Sequence, residues 1–282
     1  MHNRSLPYWL IAPATLFIGT LFLYPVVLVA QQAFTSSDGG FSLQNFQTMV
    51  EHWKFKTALG NTLMLAALVI PLQLMLALAL AQMLARIQRG RDALLYIWTI
   101  PLGISDLAAG IIWLAIFEQT GFLNSMLTSL GLSAAPVSFL GYEDTTSTLI
   151  AVVLAEVWRA TAIVLVIIVS GMGLIPKEYN EAAEVFGAGA WQKFFRVTLP
   201  LLKPSLQTAL ILRTILAFEV FAVVAVLSGT QFPVLMGETY SWQFTLQDGS
   251  VAAAYAMVIL GISIISTLFY LRILRTHSGV KA

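Results

Sequence analysis

Five charged side chains lie inside long apolar stretches of the sequence. They are Asp106, Glu156, Arg159, Arg213 and Glu219. Ionisable groups are costly in an apolar setting, so they usually face a bundle interior or a water-filled path and mark candidate functional positions. A cation path would be uniformly acidic, whereas carboxylates and guanidinium groups together can hydrogen-bond a hydroxyl-rich ligand, with arginine in its fork geometry. The mixed set therefore predicts a polar binding cavity.

The same residues also admit a structural interpretation. Glu156 and Arg159 are three positions apart, so they share one helix face and can form an ion pair that fixes the bundle. Glu219 lies close enough to the end of its apolar stretch to be solvated there. The residue types alone therefore leave a ligand cavity and a structural ion pair both open.

Motifs for catalysis are absent from the sequence. It contains no phosphate-binding Gly-x-x-x-x-Gly-Lys-Ser/Thr loop, no His-Glu-x-x-His element and no Gly-x-Ser-x-Gly element. It also has no cysteine, and His2, His52 and His277 all lie outside the apolar stretches. These absences argue against an enzyme and place any ATP hydrolysis on another chain.

Composition points to a membrane protein. The 282 residues are 58% hydrophobic and only 10% charged, whereas soluble domains carry about 25% charged residues. Six apolar runs are long enough to cross a bilayer as helices, and the first is too long for the core of a signal peptide. We predict an all-α membrane protein with one domain over residues 1–282 and six spans, at residues 8–34, 57–85, 93–117, 146–174, 199–228 and 251–274.

The distribution of Lys and Arg predicts the orientation. Most of the 15 basic residues fall at one end of the topology: Arg4, Arg86, Arg89, Arg91, Lys177, Lys193, Arg196, Lys203, Arg272, Arg275 and Lys281. The opposite loops hold only Lys54 and Lys56. Because cytoplasmic loops are enriched in basic residues, both termini and residues 175–198 are predicted to be cytoplasmic. On the outer side, residues 121–130 predict an amphipathic helix along the membrane surface.

The cytoplasmic stretch over residues 178–204 has helical periodicity of its own. Tyr179, Ala182, Ala183 and Phe186 fall at i, i+3, i+4 and i+7, which predicts one apolar stripe on a short helix. Gly187 supplies a helix stop. A stripe on a loop too short to have its own core must pack on another surface.

This stretch resembles a known signature. Glu181-Ala182-Ala183, then Gly187, Val197 and Leu199-Pro200 have the spacing of the EAA motif in permease subunits of bacterial ABC importers, with valine where the family usually has isoleucine. Other segments resemble the maltose-type, carbohydrate-uptake branch, at residues 10–13, 121–124, 130–132, 157–159 and 174–179. Residues 229–233 depart from the Gly-Gly-Pro turn of many members.

The resemblance implies a type I ABC importer permease fold in the bacterial inner membrane. Residues 175–198 would form a coupling loop whose helix docks on an ATPase subunit. The implied coupling residues are Glu181, Ala182, Ala183, Gly187, Leu199 and Pro200. The implied partners are a second homologous permease, two ATPase subunits that bind ATP and Mg, an extracytoplasmic solute-binding protein and membrane lipid. The chain itself would bind no cofactor or metal, and no nucleic acid is implied.

The resemblance implies uptake of a carbohydrate or polyol derivative by alternating access. Asp106, Glu156, Arg159, Arg213 and Glu219 are then the candidate substrate-binding residues. This predicts that neutralising Arg213 or Glu156 impairs uptake while assembly survives. Two rival hypotheses are an ion-coupled secondary transporter, which would also use intramembrane carboxylates, and a membrane scaffold subunit without a transport path. The arginines leave a phosphorylated ligand open.

Overall fold

The computed structural model describes residues 6–35, 39–87, 89–141 and 145–274, and these residues are mostly helical, with no named strand among them. Arg4, Arg275, Lys281, His2, His277 and both predicted cytoplasmic termini lie outside the described residues. The predicted all-α class is confirmed. Five helical segments are long and apolar enough to cross a membrane, and a sixth forms if one bent pair of helices counts as a single span.

The described residues of the first half of the chain form seven α-helices. They are α1 (Leu6–Ile18), α2 (Tyr24–Ala33), α3 (Gln44–Glu51), α4 (Phe55–Arg86), α5 (Arg91–Thr99), α6 (Asp106–Phe117) and α7 (Phe122–Ser129). A π-helical turn, Gly19–Leu23, joins α1 to α2, so that residues 8–33 form one candidate span. Helix α7 occupies most of the stretch that was predicted to be an amphipathic surface helix.

The second half, up to residue 274 where its described part ends, forms eight further α-helices. They are α8 (Thr145–Gly173), α9 (Lys177–Val185), α10 (Ala190–Lys193), α11 (Leu199–Leu201), α12 (Lys203–Phe218), α13 (Ala222–Ser228), α14 (Leu235–Tyr240) and α15 (Gly249–Ile273). Two π-helical segments, Phe194–Thr198 and Ser241–Thr245, continue α10 and α14. Helices α4, α8 and α15 begin and end within two residues of the predicted second, fourth and sixth spans.

The predicted third span, residues 93–117, is not one helix. Helix α5 ends at Thr99, a 3₁₀ turn occupies Ile100–Gly103, and α6 starts afresh at Asp106. Pro101 lies in this turn and has no backbone N–H to continue a helix. The Ser105 hydroxyl then caps α6 by accepting a hydrogen bond from the Ala108 N–H at 3.2 Å. The membrane-length segment here is therefore residues 106–129.

The predicted fifth span, residues 199–228, is also broken. The axis turns by 68° between residues 190–201 and α12. At the other end α12 stops at Phe218, and α13 begins only at Ala222. Glu219 therefore lies at the end of a helix rather than within one.

The centre of the bundle is α4, which packs along α8 and also against α12. Small residues allow close approach, as is usual between membrane helices. A β-carbon added at Gly171 of α8, for example, would lie 2.6 Å from that of Ser205 on α12. By contrast, the span at residues 8–33 has none of its most apolar window buried. That span therefore requires lipid or another chain to cover it.

Candidate functional site

Arg213 on α12 is the centre of a buried polar network. Its Nη2 donates to Glu156 Oε2 on α8 at 2.8 Å, and its Nε donates to Gln73 Oε1 on α4 at 2.6 Å. Gln73 Nε2 in turn donates to the backbone oxygen of Glu156 at 2.8 Å. The Arg213 and Glu156 side chains are each only 2% exposed. These three residues tie together the three central helices of the bundle.

A second ion pair extends the network to α6. Arg159 Nη1 lies 2.7 Å from Asp106 Oδ1, and Arg159 Nη2 lies 3.5 Å from Glu156 Oε2. The Glu156–Arg159 contact expected from their spacing is therefore present, but Arg213 is the nearer partner of Glu156. Exposure rises along the network, from 2% at Glu156 to 18% at Arg159 and 52% at Asp106.

The buried and exposed ends of this network have different chemical capacities. The space lined by Glu156, Arg213, Ala66 and Ala217 has room for about one water molecule. Glu156 Oε1 and Arg213 Nη1 are buried there without a hydrogen-bond partner among the described residues. A bulky ligand cannot reach this end in the conformation seen. Arg159 and Asp106 are the members that a ligand can contact.

Four of the five predicted site residues converge, and Glu219 does not join them. Glu219 is exposed at the end of α12 and forms no ion pair with the described residues. It lines a different groove of about 540 Å³ together with Met236 and residues of α15. Gln73 was absent from the predicted set. Its signal was an amide in the middle of an otherwise apolar run.

The predicted coupling stretch folds as a short helix with a defined stop. Helix α9 ends in a Schellman motif, in which the Ala188 N–H donates to the Ala183 oxygen and the Gly187 N–H donates to the Glu184 oxygen, both at 2.9 Å. Gly187 has φ +73°, in the left-handed region that glycine adopts without strain. Lys193 Nζ then pairs with Glu184 Oε1 at 2.6 Å, which holds α10 against α9.

The apolar stripe of α9 is not covered by any other residue that the structure describes. The Phe186 side chain is 89% exposed, and Tyr179, Glu181 and Ala182 are also exposed. Sequence reasoning missed Val185, which is 85% exposed beside Phe186. Leu199 is partly buried against the apolar cluster formed by α4, α8 and α12. The segment thus presents an apolar outer surface and is rooted in the bundle.

The described residues thus form a bundle of membrane-length helices, with charges buried between them and an uncovered amphipathic helix before α12. Residues 73–276 match the family described as "Binding-protein-dependent transport system inner membrane component". The chain belongs to this family and is a multi-pass inner membrane protein. The predicted ABC importer permease is thereby confirmed.

Named relatives match nearly the whole chain. It is 30% identical to the sulfoquinovosyl glycerol transport system permease protein SmoG of Agrobacterium fabrum, over 97% of this chain and 92% of the relative. It is 31% identical to the trehalose transport system permease protein SugA of Mycobacterium tuberculosis, over 81% and 75%. Among solved structures, a bacterial ABC transporter involved in the import of the acidic polysaccharide alginate matches with a TM-score of 0.81 at 23% identity, over 98% of this chain and 97% of that chain. This likeness confirms the predicted importer permease fold.

Proposed function

We propose that this chain is one permease subunit of a binding-protein-dependent importer for a carbohydrate or carbohydrate derivative. The observation that carries the proposal is the match to sugar and glycoside permeases along most of both chains. The chain acts as a single permease domain, paired with a second permease, two ATPase subunits and an external solute-binding protein. Substrate crosses by alternating access when the ATPases close and open.

Helix α9 is the proposed docking element for an ATPase subunit. Its exposed apolar stripe, ending at Phe186, needs a partner surface, and Glu181 beside it can make a charge-assisted contact. The concentration of basic residues near α9 supports a cytoplasmic position, where an ATPase would meet it. The Glu184–Lys193 pair and Leu199 make the segment rigid enough to transmit force to α12.

Reconstitution tests this function against both rivals. The full chain is assembled in vesicles with the permease, ATPases and binding protein encoded beside it, and ATP hydrolysis is measured with trehalose, a sulfoquinovosyl glycoside or a polyol phosphate. Stimulation by binding protein plus one of these ligands supports the importer. Uptake driven by an ion gradient without any ATPase would support a secondary transporter. A complex that hydrolyses no ATP and transports nothing would support a scaffold.

The proposed substrate contacts lie at the exposed end of the charge network. Arg159 offers a guanidinium that suits hydroxyl, sulfonate or carboxylate oxygens in bidentate geometry. Asp106 can accept hydrogen bonds from sugar hydroxyls while it holds Arg159 at 2.7 Å. Glu156 and Arg213 are proposed to act behind them by fixing Arg159 and α8. Glu219 is proposed to contact the substrate separately, at the groove between α12 and α15.

Neutralising Asp106 or Arg159 is expected to impair uptake with little loss of stability. Asp106→Asn and Arg159→Gln each break a partly exposed ion pair, and screening by solvent limits the stability loss to about 1 kcal/mol or less. Both are expected to raise the KM for uptake, because a ligand contact is lost. Glu118→Gln, directly after the last residue of α6, is the control, since Glu118 is exposed and forms no ion pair with the described residues. Unchanged uptake kinetics in both variants would remove these residues from the substrate site.

Removing the most exposed side chain of the α9 stripe is expected to weaken ATPase docking. Phe186→Ser deletes an aromatic anchor, and anchors of this kind contribute about 2 kcal/mol or more, which corresponds to a roughly 30-fold loss of affinity. Binding of the purified ATPase to the chain in nanodiscs gives the measurement. Phe122→Ser, which changes a similarly exposed phenylalanine on α7, is the control. Equal ATPase affinity in the two variants would exclude Phe186 from the interface.

A further inference from the structure

A groove at the Arg86 end of α4 is lined by two elements of different character. One wall is an outward stripe of α4, formed by Met75, Leu78, Ala79, Gln82 and Arg86. The other wall is the segment after α9, which contributes Ala190, Trp191, Phe194, Phe195 and Leu199. The groove has a volume of about 490 Å³, within the range of pockets that hold small ligands. Its walls are predominantly apolar.

The walls of this groove lie on the outer surface of the described bundle, where Met75, Trp191 and Phe195 are exposed. On α4 the opposite stripe, around Ala77, Leu80 and Leu84, is buried in the apolar cluster with α8 and α12. Trp191 and Phe195 stack at 5.7 Å with their rings nearly parallel, and they form a flat apolar wall. Trp191 is nonetheless 76% exposed. Uncovered apolar surface of this kind needs an apolar occupant.

The groove is polar only at one end, and that end is basic. Arg86 is the last residue of α4 and is exposed, with Gln82 one turn before it. Arg86 forms no ion pair with any carboxylate of the described residues. Arg89 and Arg91 follow it in sequence, and Arg196 lies on the opposite wall's segment. A guanidinium at the mouth of an apolar groove is complementary to a molecule with an anionic head and an apolar tail.

We propose that this groove is a binding site for an anionic phospholipid such as phosphatidylglycerol. The acyl chain lies between α4 and the Trp191–Phe195 wall, and the phosphate contacts Arg86. Clusters of basic residues directly at the end of a membrane helix have this preference for anionic lipid. A protein segment would also cover the apolar walls but would not need the unpaired Arg86. Because the same wall leads from α9 to α12, the bound lipid would hold the segment that the proposed function assigns to ATPase docking.

Native mass spectrometry of the full chain, titrated with phosphatidylglycerol or phosphatidylcholine, tests this site. The wild type is expected to retain phosphatidylglycerol in preference to phosphatidylcholine. Arg86→Gln is expected to lower phosphatidylglycerol affinity about 5-fold, as for one basic contact with an anionic headgroup. The control Lys56→Gln removes an exposed charge at the other end of α4, outside the groove, and it is expected to change affinity little.

A second variant fills the apolar part of the groove. Ala79→Trp occupies the space for the acyl chain and is expected to lower the affinity for both lipids, whereas Leu72→Trp, at an exposed position outside the groove, does not. Equal phosphatidylglycerol retention by the wild type and Arg86→Gln would overturn the proposal. So would normal lipid retention by Ala79→Trp combined with failure to assemble with the second permease or the ATPase, because the groove would then be a protein interface.

Discussion

Arg213→Met is expected to destabilise the helix bundle by about 3–5 kcal/mol, the usual cost of removing one partner from a buried ion pair. Glu156, whose side chain is only 2% exposed, would lose its nearest cation, and Gln73 Oε1 would lose its hydrogen-bond donor. The effect is large because the network joins α4, α8 and α12, which form the centre of the bundle. Unfolding of the purified chain in mixed detergent micelles measures it.

Two further variants at this position separate charge from geometry. Arg213→Lys keeps the positive charge but loses the fork that contacts both Glu156 and Gln73, so an intermediate loss of stability is expected. The double variant Arg213→Met with Glu156→Gln removes both buried charges and is expected to recover part of the stability, because no uncompensated charge remains. If Arg213→Met alone is as stable as the wild type, the network does not stabilise the bundle.

Uptake by the double variant then decides what the buried pair does for transport. If the chain assembles and uptake remains impaired, Glu156 and Arg213 are needed for substrate passage. If assembly and uptake recover together, their role is to hold the bundle. The sequence predicted that single neutralising changes spare assembly. The structure favours a loss of assembly instead, because both side chains are almost fully buried and each is the other's closest charged partner.

Much of the fold could be predicted from hydropathy, because backbone polar groups in a bilayer leave helices as the available structure. Helices α4, α8 and α15 therefore lie close to their predicted spans. The breaks before α6 and after α12 could not be placed in this way, since a mostly apolar composition continues through them. Pro101 was a usable signal for the first break. The residues at the end of α12 contain no proline or glycine and gave none.

The candidate site shows the same division between local and long-range information. Helical periodicity was sufficient to bring Glu156 and Arg159 onto one face, because three residues span less than one turn. The stronger Glu156–Arg213 contact joins residues 57 positions apart. It depends on how α8 and α12 rotate against each other, which no spacing within one helix determines. Helix α9 could be predicted best, because its stripe and its glycine stop are both local features.

Replacing Gly187 with valine is expected to uncouple ATP hydrolysis from uptake. Gly187 has φ +73°, and a β-branched residue is strained there. A β-carbon at this position would meet no atom of the chain within 4 Å, so the effect is conformational rather than a clash. The Schellman bonds that end α9 would be lost, and α9 would change direction relative to α10. Stimulation of the ATPase activity by binding protein plus ligand is therefore expected to be largely lost, while the unstimulated rate remains.

Gly187→Asn provides the matched control for this prediction. Asparagine adds a side chain larger than that of alanine but tolerates the left-handed conformation, so it is expected to retain most of the coupling. Glu181→Lys gives an independent perturbation, because it reverses an exposed charge on α9 without touching the helix stop. It is expected to reduce stimulation, whereas Glu178→Lys, in the first turn outside the motif, is expected to preserve more of it. Because none of these positions is buried, bundle stability should stay unchanged in all four variants. If Gly187→Val and Glu181→Lys both keep wild-type uptake and ATPase stimulation, α9 does not couple the permease to its ATPase.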